Sequence, residues 1–284
     1  MAGTLFVVAT PIGNLEDITA RALRILREAS VIAAEDTRRT AHLLAHYGIT
    51  TPTTSLHEHN EQGKSDLLLT RLAAGDSVAL VSDAGTPTIS DPGAILIGRA
   101  LEQGIRVEPI PGPNAAIAAL SASGFQASNF TVLGFPPAKG SERAEWFGRL
   151  TTINDSVAIF YEAPHRILAT LKDLQRNLGD VEVVVAREIT KAHEELVKGP
   201  ISKIAENGLK EQGEFTVVVM IGQKTNINAA LEPPEDNELA HEFGLLTANR
   251  KSTRRQAIAS LSRRYGMSAK AVYAALETYK RSLG

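Results

Sequence analysis

VALVSDAGTPTISDPG, residues 78–93, decides how this chain is read. Its first four residues, Val78 to Val81, form an apolar run of the length expected for a strand buried on both faces. Residues 82–93, rich in Ser, Asp, Gly, Thr and Pro, then extend over twelve positions where two or three would turn the chain. Loops of that length inside a compact domain are usually functional. The question is what ligand such a loop, at the carboxyl end of a strand, is shaped to hold.

Around it the chain alternates short apolar runs with amphipathic stretches. Strands are expected at 5–9, 31–34, 77–81 and 106–110, and helices at 17–29, 37–46, 64–74 and 92–102. Gly48, Gly75 and Gly104 stand where three of those helices stop, and Asp17 and Asp91 where two begin. Strands and helices at this spacing read as βαβ units on a parallel sheet. From Asn114 the rhythm changes: a small-residue helix at 115–121, then strands at 131–135, 156–161, 182–186, 195–197 and 215–221, with helices at 142–150, 166–178 and 202–207. Fewer helices between the last strands allow antiparallel neighbours. The expected architecture is therefore α/β in two domains, 1–113 with a parallel sheet and 114–223 with a mixed sheet. Residues 223–238, with two prolines, read as a linker, and 239–284 as a small helical domain. In that last segment Gly266 has the place of a helix-turn-helix turn residue and Ser268 that of a helix cap.

Composition narrows the function. The 284 residues, 43% hydrophobic and 22% charged, suit a globular chain of this organisation. Cysteine is absent, which excludes disulfides and thiolate metal sites and points to a reducing cytoplasm. The seven His residues lack a metal-binding spacing, so no metal is expected. No basic leader precedes the apolar run at 5–9, and no run approaches the roughly 20 apolar residues of a membrane span, so neither secretion nor membrane insertion is expected. Charge is unevenly placed. Residues 250–284 hold nine Lys or Arg against one acid, Glu277, a net of +8; the other 21 basic and 31 acidic residues leave −10 for the remainder. An acidic body with a basic tail points to a polyanionic partner met by the tail.

Several ligand chemistries fail on spacing. No two glycines are separated by a single residue, so a GxGxxG dinucleotide fingerprint is absent. GAILIGRA, 93–100, has the glycine spacing of a phosphate loop but Arg99 where Lys is required. Ser82 lacks a nucleophile elbow. What is left is a set of four Gly/Pro loops at strand ends: ATPIGN (9–14), SDAGTPTISDPG (82–93), PIPGPNAA (109–116) and GFPPAKG (134–140). In open α/β sheets ligands occupy that crevice. Gly85 and Gly112 let backbone approach a ligand, and Pro87, Pro92, Pro111 and Pro113 stiffen the turns.

These residues carry a resemblance. LFVVATPIGNLEDIT, EDTRRT, LVSDAGTPTISDPG, PIPGPNAAIAAL, GFPP with Lys139 and Arg143, FYEAPHR and AREITKAHEE together resemble the tetrapyrrole-methylase-like, class III S-adenosylmethionine methyltransferases. Within that superfamily they are most similar to the ribosomal RNA small subunit methyltransferase I group, the 16S rRNA cytidine 2'-O-methyltransferases. The resemblance runs from Thr4 to about Gln223. It implies two α/β domains with S-adenosylmethionine in the cleft between them. Position by position, it places cofactor contacts on Pro11, Gly85, Thr86, Pro87, Ile89, Ala115, Ala116 and Tyr161. It also implies 16S rRNA in the small subunit as partner and a homodimer.

A ribose hydroxyl is a weak acid, so a base or cation at the cleft would assist transfer. Asp36, Arg38, Asp83, Lys139, Glu162, His165, Arg187, Glu188 and Lys191 lie on the matching motifs. Among them Asp36 and Glu188 are the base candidates, each with a structural alternative: a helix cap for Asp36 and an ion pair for the ARE run. Lys139, Arg143, Arg254, Arg255, Arg263, Arg264 and Lys270 are the candidates for RNA phosphates. Two other classes compete: a small-molecule methylase of tetrapyrrole type, which has no need of the basic tail, and a DNA-binding regulator with a cofactor-like sensor.

Overall fold

The computed structural model describes residues 2–89, 91–153, 156–222, 236–248, 253–265 and 267–282. Strands β1 (Thr4–Val8), β2 (Val31–Ala34), β3 (Thr53–Ser55), β4 (Val78–Val81) and β5 (Arg106–Ile110) form one sheet in the order β3-β2-β4-β1-β5. Every pairing in it is parallel. All residues of β2 and β4 are buried, as central parallel strands covered on both faces must be. Helices α1 (Ala20–Glu28) and α2 (Thr37–His46) pack Leu26 and Leu44 on one face. On the other, α3 (Glu61–Ala73) and α4 (Ala94–Glu102) pack Leu68, Leu72 and Leu96. The chain leaves β1 for the first face and β4 for the second, although the two strands are neighbours. Their following loops therefore diverge and open a crevice, the switch point at which ligands of such sheets bind.

A second sheet follows. Its strands are β6 (Phe130–Val132), β7 (Ser156–Glu162), β8 (Glu182–Arg187), β9 (Glu195–Pro200) and β10 (Phe215–Ile221), in the order β6-β7-β10-β8-β9. β6 runs parallel to β7 and the other pairings are antiparallel. Helix α5 (Ala115–Ala122) lays Ala116 and Ala119 against Ile159, Val184 and Val218 on one face, its small side chains letting backbone approach sheet. On the opposite face α6 (Gly140–Leu150), α7 (Ile167–Leu178) and α8 (Ile201–Asn207) cover a larger core in which Trp146 meets Phe160 edge to face at 5.3 Å.

Residues Met1–Gln223 make one compact unit and Lys224–Gly284 another. The second unit holds α9 (Asp236–Ala248), α10 (Arg254–Arg264) and α11 (Ala269–Ser282) around Leu239, Leu261, Val272 and Leu276. Thr253 and Gln256 form a capping box at α10, and the Ala271 amide donates to Ser268 Oγ at 3.1 Å, the cap expected from the sequence. Gly266 and linker residues 223–235 lie outside the described residues.

Two expected caps are corrected. Asp17 sits in a short 3-10 turn, Leu15–Asp17, and α1 is capped by Thr19. Asp91 does not cap α4 either. Glu61, 6% exposed, reaches across from α3 and its Oε1 accepts the amides of Gly93 at 3.0 Å and Ile95 at 2.8 Å. Helix α4 begins at the end of the 82–93 loop, so Glu61 fixes where that loop terminates. Replacing Glu61 with Ala strands those amides, and a buried unsatisfied polar group costs about 1–3 kcal/mol. Urea unfolding of Glu61→Ala should show a loss of that size, with Glu61→Gln, which keeps an acceptor oxygen, falling between it and the parent chain.

Candidate active site

The loops after β1 and β4 are sewn together by backbone. The Thr10 amide donates to the Gly85 carbonyl at 2.8 Å and the Gly85 amide to the Thr10 carbonyl at 3.0 Å. Gly85 has φ +79°, and a Cβ there would stand 3.4 Å from Ile12. The third loop joins through Thr86, whose hydroxyl donates to the Pro113 carbonyl at 3.5 Å, and through Gly112, where a Cβ would come within 2.9 Å of the Ala9 side chain. The loop after β1 also grips the second sheet's side of the molecule: the Asn14 amide donates to Thr190 Oγ1 at 3.1 Å.

These turns enclose a cavity of about 510 Å³ that spans both sheets. Gly85, Thr86 and Ile89 line it from the long loop, Asn114 and Ala115 from the start of α5, and Phe135 and Tyr161 from the second sheet. The fold thus assembles five of the eight cofactor candidates, Gly85, Thr86, Ile89, Ala115 and Tyr161, around one space. The other three stand elsewhere. Ala116 is buried beneath the cavity among β-strand side chains. Pro87 is buried in the loop without facing the cavity. Pro11 faces a smaller hollow of about 100 Å³ beside Ser82 and His42. Burial pushes the Tyr161 phenol above its ordinary value, partly offset by the Ala116 amide.

The cavity wall is acidic. Glu35, Asp83, Asp91, Glu162 and Glu214 face it, against Arg39. Most of these carboxylates have partners. Asp83 accepts the Asp36 amide at 3.0 Å and pairs with Arg39 at 3.3 Å. Glu35 Oε2 accepts the Asp83 amide at 3.2 Å. Glu162, 1% exposed, takes Thr170 Oγ1 at 2.6 Å, Arg166 at 3.1 Å and the Ala163 amide at 2.9 Å. Glu214 pairs with Lys191 at 2.9 Å. Asp91 is bonded to the Ser82 hydroxyl, which lowers its carboxyl, but burial first, then the negative charge of Glu35, raises it to about 6. Of these acids the sequence motifs mark Asp83 and Glu162 as polar candidates but not Glu35, Asp91 or Glu214.

The two expected bases have other duties. Asp36 caps α2 through the Arg38 amide at 2.8 Å, and the hydrogen-bonded Arg38 guanidinium holds its carboxyl far below the usual range. Glu188 is bonded to Lys191 Nζ at 2.9 Å, which lowers its carboxyl, and also accepts the Glu214 amide at 2.9 Å. Neither lines the cavity. A carboxylate held so firmly ionised is a feeble proton acceptor, and the structural alternative raised for each residue is the one the geometry displays.

Among the cationic candidates, Arg143 is turned inward: it bonds Asp173 at 2.9 Å, Thr170 Oγ1 at 2.9 Å and the Pro137 carbonyl at 2.9 Å. A phosphate contact would cost those bonds. Arg187 pairs with Glu195 at 3.0 Å, and Arg38 with Asp36 at 2.7 Å. Lys139 and His165 are exposed, as are Arg254, Arg255 and Lys270 in the helical unit. Arg254 reaches Glu277 at 3.5 Å and lies over the Tyr273 ring. The side chains of Arg263 and Arg264 lie outside the described residues.

Fold and cleft together define a class. Residues 4–205 match the family of Tetrapyrrole (Corrin/Porphyrin) Methylases. A solved uroporphyrin-III C-methyltransferase from Thermus thermophilus, complexed with S-adenosylhomocysteine, superposes over 78% of this chain and 98% of its own with a TM-score of 0.56, at 18% identity. Nearer relatives narrow the class. "Ribosomal RNA small subunit methyltransferase I" of Xylella fastidiosa is 49% identical over 224 residues, 76% of this chain and 81% of that protein. The protein of the same name from Pseudomonas aeruginosa is 48% identical over 225 residues, 77% of this chain and 79% of its own. The chain belongs to the ribosomal RNA small subunit methyltransferase I family of methyltransferases.

The left-handed backbone at Gly85 is a constraint on the site as a whole. A side chain in that conformation costs about 1–2 kcal/mol. Gly85→Ala should lose stability by that amount in denaturant titrations, whereas Gly98→Ala, where a Cβ meets nothing within 4 Å, should not.

Proposed function

We propose that this methyltransferase transfers the methyl group of S-adenosylmethionine to the ribose 2'-oxygen of a cytidine in 16S rRNA of the small ribosomal subunit. The observation that carries the reading is the near 50% identity, over 224 and 225 residues, to proteins named as methyltransferases of small-subunit ribosomal RNA. The cavity fits the donor. Its volume falls in the range of roughly 300–1,000 Å³ that suits ligands of this size, and its surplus of carboxylates over cations suits a sulfonium. Bound there, the donor supplies an electrophilic methyl group on a good leaving group. The chain supplies position: well-oriented reactants gain roughly 7–11 kcal/mol over free encounter.

In this reading Gly85, Thr86 and Ile89 hold the donor from the long loop, Ala115 from α5 and Tyr161 from β7, while Pro11, Pro87 and Ala116 shape the turns and helix behind them. Asp36 and Glu188 serve as struts. Asp36 ties α2 to the loop after β4, and Glu188 ties its own turn to β10. Lys139, Arg254, Arg255, Arg263, Arg264 and Lys270 meet RNA phosphate, with Arg143 bracing the segment that carries Lys139. Domains 1–113 and 114–223 then share the donor, and 239–284 recruits the acceptor. A cytoplasmic homodimer belongs to the same reading; the exposed Phe130 and Val132 on edge strand β6 support a protein contact there. Among the described residues no helix is long and apolar enough to cross a membrane.

Radiolabelled methyl transfer to purified small subunits, followed by mapping of the modified sugar, tests the assignment; label appearing on porphyrinoid acceptors and not on subunits would instead support a small-molecule methylase. The division of labour has its own check. Replacing Arg254, Arg255 and Lys270 together with Ala should weaken subunit binding and flatten its dependence on log salt by about 2, at roughly 0.7 for each phosphate no longer neutralised. Calorimetry should find donor affinity unchanged in that variant.

A further inference from the structure

The loop at 134–140 presents an aromatic ring to solvent instead of burying it. Phe135 is 57% exposed, more than any other phenylalanine or tyrosine among the described residues. Single exposed apolar side chains are common on protein surfaces and by themselves carry nothing. This one differs in where it stands and in how it is held. It lines the cavity beside half-buried Tyr161, with ring centroids 5.4 Å apart and planes inclined at 46°. The backbone around it is pinned on both sides. Gly134 turns left-handed at φ +64°, and its carbonyl accepts the Tyr161 amide at 2.9 Å. The Pro136 carbonyl accepts the Arg166 guanidinium, and the Pro137 carbonyl accepts Arg143 at 2.9 Å. Those two arginines are themselves anchored, on Glu162 and Asp173. Two consecutive prolines add stiffness. A flat apolar surface is thus held still at the cavity edge without being buried.

We propose that Phe135 positions the acceptor: the base of the nucleotide to be methylated leaves its neighbours in the RNA and stacks on the Phe135 ring, which sets the attached ribose at the cavity mouth. This rests on the function proposed above and adds to it a contact for the acceptor.

The charge of the site calls for such a contact. Glu35, Asp83, Asp91, Glu162 and Glu214 around the cavity repel phosphate, so an RNA strand does not run through it. A single nucleotide has to lean out of the strand toward the donor, and its base then loses the stacking of its neighbours. Aromatic side chains replace that stacking in single-stranded RNA recognition, and every base offers them a flat face. The proposed donor contacts lie on the long loop, α5 and β7, which leaves the ring of the 134–140 loop for the acceptor. Lys139, exposed four residues further along the same loop, is a cation available to the phosphate beside that nucleotide.

The test uses the full chain, purified small subunits and S-adenosylmethionine. Phe135→Leu keeps apolar bulk beside Tyr161 but removes the ring face. Its kcat/KM for subunits should fall about 10-fold or more, the size expected when one base–aromatic stack is lost. Donor affinity by calorimetry and the melting temperature should stay close to those of the parent, because the side chain is mostly open to solvent. Phe135→Tyr, which restores a ring, should recover most of the rate. The slope of log kcat/KM against log salt should be the same in Phe135→Leu as in the parent, since no phosphate contact is lost; a flatter slope would mark an ionic role and count against stacking. Parental kcat/KM in Phe135→Leu overturns the inference, as does a Phe135→Tyr no faster than Phe135→Leu. A rate loss matched by weakened donor binding overturns it in favour of a donor contact. A sedimentation rate altered from the parent's overturns it in favour of a contact between copies of the chain. A parent chain that fails to methylate small subunits sinks the functional reading itself, an outcome distinct from an active parent with an equally active variant.

Discussion

Two backbone hydrogen bonds, between Thr10 and Gly85, are the constraint on which the site depends. They join the loops that follow neighbouring strands at the point where the chain departs to opposite faces of the sheet. Without them those loops would splay, since nothing in strand pairing continues beyond the sheet. The bonds require the backbone of residue 85 to turn left-handed, which glycine allows at little steric cost. Thr86 then docks on Pro113 and brings the start of α5 to the same place. One local geometry thus sets three walls of the cavity, with few side chains standing between backbone and ligand.

Electrostatics divides the molecule in the same way. A cavity ringed by five carboxylates attracts a cationic donor: at an effective dielectric near 20, a unit charge about 7 Å from a carboxylate gains about 2 kcal/mol. The same field repels a polyanion. An RNA acceptor must therefore present one sugar to the cavity mouth while its phosphates are held elsewhere, the load that the proposed function gives to the cationic side chains. The charge of the sequence is divided in the same sense, +8 for residues 250–284 against −10 for the remainder.

Much of the fold is legible in the sequence because apolar period and glycine punctuation are local signals. Val31–Ala34, Val78–Val81 and Phe215–Ile221 read as buried strands and are buried throughout. β3 escapes because three residues, Thr53–Ser55, carry no apolar run; the strand exists because β2 offers it an edge. Expected strand 131–135 shrinks to Phe130–Val132, since Gly134 and Phe135 belong to the cavity loop. Site residues follow the same rule. Gly85 and Ala115 stand out through local motifs, whereas Glu35, Asp91 and Glu214 converge from three loops distant in sequence, and no spacing along the chain announces that.

The exchange of roles between Asp91 and Glu61 shows why residue type alone misleads at such sites. An acid immediately before an expected helix is ordinarily read as its cap, and Asp91, ahead of the helix expected at 92–102, invites that reading. A cap from within the loop would tie its carboxylate to amides and hold it ionised. Glu61, buried and anchored on α3, satisfies Gly93 and Ile95 from outside instead. The loop end is then fixed without tying its own carboxyl to helix amides, and that carboxyl faces the cavity beside Glu35 and Asp83, bonded to the Ser82 hydroxyl. The fixed end of the loop and the acidic wall of the cavity are thus supplied by two acids 30 positions apart in the chain.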